Sequence, residues 1–128
     1  MSRTFVLVDD AGGKEIIGFF TLSATEADSE HLPPDLAKKL PRKIPAARIG
    51  RMAVGKAHQG QGMGSFLLVE ALRKILHASS EVGIAGVFVD AKNDGLVKFY
   101  SRFGFQALPN HPLVLFLPIQ TIVQALKQ

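Results

Sequence analysis

Six residues near the middle of the chain have the composition of an anion-binding turn. They read Gln-Gly-Gln-Gly-Met-Gly over positions 59–64, so that three glycines alternate within five residues. The turn follows a strand-like apolar segment at 49–54 and precedes a long amphipathic helical pattern. Glycines leave backbone N–H groups uncovered, and the unpaired amides and the positive dipole end of a helix start lie at the same place. The spacing therefore predicts that this turn binds a diphosphate group.

Two common phosphate-binding motifs do not fit the turn. A P-loop requires a lysine after its second glycine; Gly55 and Gly60 have the required spacing, but Gln61 follows them. A Rossmann fingerprint requires G-x-G-x-x-G; Gly60 and Gly62 fit its first two positions, but Ser65 occupies the third. No carboxylate ends a strand at the distance that a Rossmann fold requires. The turn therefore belongs to another class of nucleotide-cofactor site.

The remaining residue types exclude several kinds of chemistry. The chain has no cysteine, which excludes a disulfide scaffold, a thiolate zinc site and a cysteine nucleophile. Its four histidines show no metal-ligand spacing, so no metal site is expected. The chain lacks a G-x-S-x-G motif, and Ser65 is interpreted as a helix-start residue. His58 is interpreted as a solvated loop histidine, and no general base is apparent.

Basic residues are concentrated around the glycine turn. No acidic residue lies between Asp35 and Glu70, whereas seven of the fifteen lysines and arginines do. They are Lys38, Lys39, Arg42, Lys43, Arg48, Arg51 and Lys56. A positive potential raises the local concentration of anionic ligands. Two interpretations stay open: a solvated basic loop, and a surface that faces a nucleic acid or a nucleotide cofactor.

Length and composition favour one folded domain over residues 1–128. Apolar residues make up 47% and charged residues 20% of the chain, which excludes a disordered protein. The first residues have no signal-peptide pattern, and no apolar run is as long as a membrane span. We therefore expect a cytoplasmic protein that does not enter a membrane.

The pattern of apolar residues predicts a mixed α/β fold. Turn residues at 9–13 separate two β-rich segments and predict an antiparallel hairpin, whereas the prolines within 23–45 predict an irregular region. The order strand, helix, strand over 47–90 predicts a parallel strand pair, and the whole pattern predicts one sheet with helices on both faces. The strand at 113–117 is either core or a dimer edge. The predicted strands are 4–8, 15–22, 47–54, 87–90, 105–108 and 113–117, and the predicted helices are 35–40, 62–80, 94–102 and 119–127.

Three segments of the chain resemble the GNAT acetyltransferase family. The glycine turn matches the family's pyrophosphate loop, (Q/R)-x-x-G-x-(G/A), and residues 48–54 look like the strand before that loop. Residues 90–105, which end in FYSRFGF, resemble the family's second cofactor segment, FYxRxGF. The likeness extends over residues 3–123. It implies the GNAT, or acyl-CoA N-acyltransferase, fold: a mixed, mostly antiparallel sheet with a central splayed pair of parallel strands.

The resemblance implies acetyl-CoA as the cofactor and assigns its contacts. Backbone groups of the strand would pair with the pantetheine arm, and amides of the turn would hold the pyrophosphate. The family's matching tyrosine protonates the departing CoA thiolate, which assigns Tyr100 as the catalytic acid. Asn93 would contact the cofactor or cap a helix, and Phe99 would contact the cofactor or pack. The other implied cofactor contacts are Met52, Ala53, Val54, Gln59, Gly60, Gln61, Gly62, Met63, Gly64 and Ser65.

A narrower likeness is to the GNAT toxins of bacterial toxin–antitoxin modules. It rests on the segments GRMAV, HQGQGMG and FYSRFGF and on the turn PNHPL that follows them. It implies transfer of an acetyl group to the α-amino group of aminoacyl-tRNA, with a ribbon-helix-helix antitoxin as a partner. The missing base fits this acceptor, because an α-amine with a pKa near 8 is less protonated than a lysine with a pKa of about 10.4. Contacts to tRNA are then expected from Lys38, Lys39, Arg42, Lys43 and Arg51, the last of which is also placed to touch the cofactor.

The chain departs from that group of toxins at its N-terminus. Such toxins carry a further strand and two helices before the segment that matches residues 2–6. We interpret the chain as an N-terminally shortened domain, which is a truncated reading frame, an engineered fragment or a natural minimal form. Two other functions stay open: a GNAT enzyme that acetylates a small amine or a peptide N-terminus, and an inactive CoA-binding module that binds a partner protein. A homodimer is the further partner considered.

Overall fold

A computed structural model describes residues 2–9 and 15–126 of the 128-residue chain. The turn predicted at 9–13 lies almost wholly outside the described residues. Within these ranges, six strands and four helices follow one another with short connections, and single 3₁₀ turns occupy Ser29–His31 and Lys56–His58. The elements are β1 (Ser2–Asp9), β2 (Glu15–Asp28), α1 (Pro34–Ala37), β3 (Lys43–Val54), α2 (Met63–Val82), β4 (Gly86–Asp90), α3 (Asp94–Ser101), β5 (Gln106–Leu108), β6 (His111–Pro118) and α4 (Ile119–Leu126).

The six strands form one mixed sheet in the order β1-β2-β3-β4-β6-β5. Strands β3 and β4 run parallel, and the other neighbouring strands of the described chain pair antiparallel. The long helix α2 connects the two parallel strands, as a parallel pair requires. The predicted mixed sheet with a central parallel pair is therefore confirmed.

The prediction of an irregular region over 23–45 is wrong for both of its ends. Strand β2 continues to Asp28 and β3 begins at Lys43, because the two strands form a long antiparallel hairpin in which Asp28 pairs with Lys43. Tertiary pairing overrides the weak local preference of this polar and proline-containing segment. Helix α1 is also shorter than predicted and ends at Ala37, four residues before Pro41.

The two faces of the sheet carry separate apolar clusters. On the first face, α2, α3 and α4 cover the sheet, and their residues Leu68, Tyr100 and Ile122 are buried against it. On the second face, Leu32 and the α1 residue Leu36 pack against the sheet, so this face is covered only near the start of β3. Helices therefore lie on both faces, as predicted, but the second face is largely open near the end of β3.

Strand β6 lies inside the sheet, between β4 and β5. Its residues Leu115, Phe116 and Leu117 are almost fully buried. Of the two roles considered for the segment 113–117, the core role is therefore confirmed, and the role of a dimer edge is wrong. The outer strands of the sheet are β1 and β5.

Candidate active site

Strand β3 has an open edge along its second half. Its parallel pairing with β4 covers only three positions and ends where Ile49 pairs with Val89. Beyond that point β3 continues to Val54 and stays paired with β2 on its other side. The five residues from Gly50 to Val54 therefore line a gap between two parallel strands that have parted.

A bulge at Gly50 marks the point where the strands part. Thr21 of β2 pairs with Arg51 and Leu22 pairs with Ile49, so that Gly50 is the extra residue. The Arg51 N–H donates to Thr21 Oγ1 at 2.9 Å. Bulges bend a strand and raise its twist, which fits the divergence of β3 from β4 immediately afterwards.

The peptide groups of Met52 and Val54 face the gap. The Arg51 N–H is directed at β2, and peptide directions alternate along a strand, so Met52 and Val54 present theirs to the open edge and Ala53 to β2. The Gln59 side chain confirms this direction, because its Nε2 donates to the Val54 carbonyl at 3.1 Å. Because the Val54 carbonyl already accepts this bond, an extended polar ligand in the gap would form strand-like hydrogen bonds mainly with the peptide groups of Met52.

The glycine turn lies between the open edge and helix α2. Gly60 and Gly62 have φ angles of 81° and 78°, in the left-handed region that favours glycine. The first helical bond runs from the Phe66 N–H to the Gly62 carbonyl at 3.2 Å, and no side chain caps the helix start. Within the described chain, no backbone carbonyl accepts from the N–H groups of 61–65. These amides remain available for an anion, and their contact with a diphosphate stays a prediction.

Helix α3 brings an aromatic group to the turn. A Cβ placed on Gly64 would lie 3.8 Å from Phe99 Cζ, so the Phe99 ring borders the start of α2. The Arg102 guanidinium lies 5.9 Å from the centroid of the same ring. The sequence assignment had omitted Arg102, although the motif FYxRxGF contains it. Its charge near the turn makes it a further candidate for contact with the diphosphate.

Asn93 caps helix α3. Its Oδ1 accepts a hydrogen bond from the Leu96 N–H at 2.9 Å, and Asn93 directly precedes Asp94, the first residue of α3. The capping role considered for Asn93 is therefore present, and contact with a cofactor through its other amide atoms stays a prediction.

Tyr100 lies in the core on the face that carries α2. It is 5% exposed, and its ring packs edge-on against Phe99 and Phe105 with centroid separations of 5.3 and 5.5 Å. Burial raises the pKa of the Tyr100 phenol, and the charge of Asp90 raises it further. The hydroxyl is therefore held in its protonated form, which is the form that an acid catalyst requires.

Asp90 and Arg48 form an ion pair that the sequence assignment did not anticipate. Arg48 Nη1 lies 2.7 Å from Asp90 Oδ2, so the pair connects β3 to β4 beside the point where they part. The two residues are 42 positions apart in the chain, and only the parallel register brings them together. The sequence gives one sign of this site: the carboxylate of Asp90 ends the apolar strand β4.

The interpretation of His58 as a solvated residue is wrong. Its side chain is 16% exposed, and Nε2 lies 3.8 Å from the Glu15 carboxylate at the start of β2. Nε2 is buried and makes no hydrogen bond within the described chain. His58 thus lies where the residues before the glycine turn meet the start of β2.

The structure does not bring the predicted basic residues to the glycine turn. Lys38 and Lys39 follow α1, and Arg42 and Lys43 lie at the start of β3, about 36 Å from its end at the usual rise per strand residue. Arg42 also lies 3.3 Å from Asp28 and 3.8 Å from Glu30. Only Arg51 lies beside the gap, on the face opposite Met52, as predicted. The roles of these residues in binding tRNA stay predictions.

Two kinds of feature are absent from residues 2–9 and 15–126. None of the helices in these ranges is both long and apolar enough to cross a membrane. In the same part of the chain, no three histidine, aspartate or glutamate side chains are grouped so that they could hold a metal ion.

Comparisons with known proteins identify relatives of this architecture. Residues 1–107 match the model of the acetyltransferase (GNAT) domain family. The chain is 34% identical to a probable toxin TacT of Sinorhizobium fredii over 94% of this chain and 71% of that protein. It is 31% identical to a tRNA-acetylating toxin of Mycobacterium tuberculosis over 91% of this chain and 68% of that protein.

Solved structures of similar proteins superpose closely. AtaT complexed with acetyl-methionyl-tRNAfMet has a TM-score of 0.88 and 31% identity, over 97% of this chain and 75% of that chain. A tyrosine-to-phenylalanine mutant of KacT has a TM-score of 0.87 and 35% identity over the same shares. AtaTR bound with acetyl-CoA has a TM-score of 0.80 and 33% identity, over 97% of this chain and 74% of that chain.

Proposed function

Because the chain belongs to the GNAT acetyltransferase family, we propose that it transfers an acetyl group from acetyl-CoA to the α-amino group of aminoacyl-tRNA. The observation that carries this proposal is the gap beside 50–54. It ends in an uncapped, glycine-rich helix start, and the buried, protonated Tyr100 lies on α3, whose Phe99 borders that helix start. The strands of the described residues form one sheet, which supports the expectation of a single domain.

The residues of the gap and the turn fit coenzyme A. Met52 offers strand-like hydrogen bonds to the amides of a pantetheine arm. The free N–H groups of 61–65 and the positive end of α2 suit a diphosphate. Positive φ angles at Gly60 and Gly62 keep side chains away from this surface. Acetyl-CoA, when bound, supplies an activated thioester carbonyl whose carbon accepts an amine.

Tyr100 would supply the proton that the departing thiolate needs. Its phenol is held neutral by burial, so a proton is present at the start of each turnover. The packing of its ring against Phe99 and Phe105 restrains the position of the ring. Positioned proton donors of this kind contribute about 100-fold to 10,000-fold in rate.

An α-amine suits a site with limited help from a base. The described part of β3 carries no carboxylate within 47–54, where a base would face the gap. An α-amine with a pKa near 8 is partly unprotonated at neutral pH, whereas a lysine with a pKa of about 10.4 is almost fully protonated. The α-amino acceptor therefore requires less deprotonation than a lysine side chain would.

Solved structures of relatives support acetyl-CoA as the cofactor, aminoacyl-tRNA as the acceptor and a tyrosine as the acid. AtaT has been solved with acetyl-methionyl-tRNAfMet, and AtaTR with acetyl-CoA. KacT and AtaT have been solved as tyrosine-to-phenylalanine mutants, and Tyr100 is the only tyrosine of this chain.

Partner binding belongs to the same proposal. AtaT has been solved with the C-terminus of the antitoxin AtaR, and KacTA has been solved with DNA. We therefore expect an antitoxin of the DNA-binding, ribbon-helix-helix type as the protein partner of this chain. A homodimer of this chain stays a prediction.

The decisive experiment incubates the full chain with acetyl-CoA and a pool of charged tRNAs. Mass spectrometry should detect N-acetyl-aminoacyl-adenosine after nuclease digestion. Tyr100→Phe should lower the rate at least about 100-fold, while coenzyme A affinity by calorimetry stays unchanged, because the phenyl ring keeps its contacts. Absence of acetylated product across the whole pool would refute the proposal.

A second acceptor class has one observation in its favour. The basic residues at 38–43 lie far from the gap, and Arg42 is already paired with Asp28 and Glu30. A small amine or a peptide N-terminus would not need a remote phosphate surface. Release of free CoA with such acceptors, without product from charged tRNA, would select this function instead.

A further inference from the structure

The Asp90 carboxylate lies where the parallel strands part. Asp90 is the last residue of β4 and pairs with Val114 of β6, one position beyond the last pair between β3 and β4. Its side chain is 51% exposed, so a molecule approaching from solvent can reach it. The stretch without carboxylates, 47–54, belongs to β3, whereas Asp90 lies on the neighbouring strand β4.

Asp90 and Tyr100 lie on opposite faces of the sheet. Val87 and Val89 belong to the cluster that contains Tyr100, whereas Phe88 belongs to the cluster on the second face. Side chains alternate along a strand, so Asp90 shares the face of Phe88. A group held between β3 and β4 would therefore have a proton donor on one face and a carboxylate on the other.

Arg48 fixes the direction of that carboxylate. Its Nη1 lies 2.7 Å from Asp90 Oδ2, and its guanidinium lies 5.5 Å from the centroid of the Phe88 ring. Two contacts on one planar group hold the pair in place more firmly than a lone surface ion pair. Among the described residues, no hydrogen bond reaches Asp90 Oδ1, which leaves that oxygen for a donor outside the chain.

We propose that Asp90, oriented by Arg48, binds the α-amino group of the acceptor on the open face of the sheet. This assignment rests on the proposed function and names the group that selects an amine. The Oδ1 atom accepts a hydrogen bond from the amine, and the opposite face keeps Tyr100 for the leaving group. Asp90 is then a specificity residue that touches substrate, and Arg48 is its positioning residue.

A purely structural role would give a different pattern. If the ion pair only joined β3 to β4, its loss would lower thermal stability and weaken coenzyme A binding in the gap. It would not change the choice between an amine and a group of similar size. The test therefore measures that choice directly by binding, separately from turnover.

The experiment uses the full chain loaded with coenzyme A and two tRNA probes. One carries methionine through a stable 3′-amide link, and the other carries the analogue with a methyl group in place of the α-amino group, which cannot donate a hydrogen bond, through the same link. We expect the wild type to prefer the amine about tenfold or more, as a hydrogen bond to a charged group predicts. Asp90→Asn should reduce the preference to about threefold or less, and Asp90→Ser should abolish it.

Matched variants separate binding from folding. Arg48→Met should lower the preference, and Arg48→Lys should restore part of it. Glu70→Gln removes another ion-paired carboxylate, 3.9 Å from Arg73 on α2, and should keep the full preference. Thermal melting and coenzyme A affinity should stay near wild type for Asp90→Asn.

Each outcome decides between the two proposals. If the wild type acetylates charged tRNA but Asp90→Asn and Asp90→Ser keep the amine preference, the assignment of Asp90 is refuted and the function stands. If both variants lose stability and coenzyme A affinity with an unchanged preference, the ion pair is structural. If the wild type neither acetylates charged tRNA nor prefers the amine, both proposals fail together.

Discussion

Tyr100 is a spectroscopic probe of its own environment. The chain contains one tyrosine and no tryptophan, so phenolate absorbance reports on this residue alone. Burial is the larger cause of its raised pKa, and the Asp90 charge is the smaller one. The fold favours the neutral phenol, so the folded pKa lies above the unfolded value of about 10. Its contribution to stability is therefore complete below about pH 10 and is lost as the pH rises through the folded pKa.

We predict that the native chain forms phenolate at a higher pH than the chain unfolded in denaturant. Asp90→Asn should lower the native midpoint part of the way, because the burial of the ring remains. Glu70→Gln on α2 should leave the midpoint unchanged. Absorbance titration near 295 nm measures all three midpoints, and equal midpoints for native and unfolded wild type would contradict the buried, neutral phenol.

Single residues differ in how far sequence could assign them. Tyr100 lies inside a motif whose spacing is local, so its place on α3 beside Phe99 followed from the sequence. The pairing of Asp90 with Arg48 depends on which residues of two strands become neighbours, and no local spacing encodes that register. The contact of His58 with Glu15 likewise depends on pairing across the β2–β3 hairpin, which brings residues 43 positions apart together.

At the scale of elements, two glycines flank helix α2 with the same backbone conformation. Gly62 precedes the helix with a φ of 78°, and Gly83 follows it with a φ of 67°. Neither would bring a Cβ within 4 Å of another atom, so backbone strain alone decides the cost of a side chain. Gly64 differs, because its φ is not positive and a Cβ there would make an ordinary contact with Phe99.

We predict that Gly62→Ala and Gly83→Ala each lower the free energy of unfolding by about 1 kcal/mol, the cost of a left-handed alanine. Only Gly62→Ala should also weaken coenzyme A binding. A backbone change that relieves strain at Gly62 would move the amides of the turn, whereas Gly83 lies at the other end of α2. Gly64→Ala should change neither the free energy of unfolding nor the backbone conformation of the turn. Denaturant unfolding and calorimetry with coenzyme A measure these effects. Equal loss of affinity in Gly62→Ala and Gly83→Ala would refute the turn as the diphosphate site.

Element types were predictable where their signals are local. The amphipathic period, the preceding glycines and the following Gly83 fixed α2 to within a few residues. The extent of the β2–β3 hairpin was not predictable, because its outer half is held by pairing across the chain and not by apolar alternation. The family resemblance predicted the gap between the parallel strands. Its start at the Gly50 bulge was not predictable, because it depends on the pairing of Arg51 with Thr21.

At the scale of the whole molecule, the basic surface is divided between the two ends of β3. Lys38, Lys39 and Lys43 lie near its start, whereas Arg51 lies beside the gap. The sequence placed all of them in one stretch without acidic residues, but an extended strand separates residues that are close in sequence. A transfer RNA is large enough to span both ends, whereas a small acceptor would reach only the gap.

We predict that the affinity for charged tRNA falls with salt, and that the two ends contribute separately to the slope. Lys38→Gln and Lys39→Gln should each lower the slope of log K against log salt by about one unit if both contact phosphates. Arg42→Gln should lower it less, because Asp28 and Glu30 already offset the charge of Arg42. Arg73→Gln on α2, where Arg73 pairs with Glu70, should leave the slope unchanged. Unchanged slopes for both lysine variants, together with a reduced slope for Arg51→Gln, would limit the tRNA contact to the gap and make the start of β3 a solvated surface.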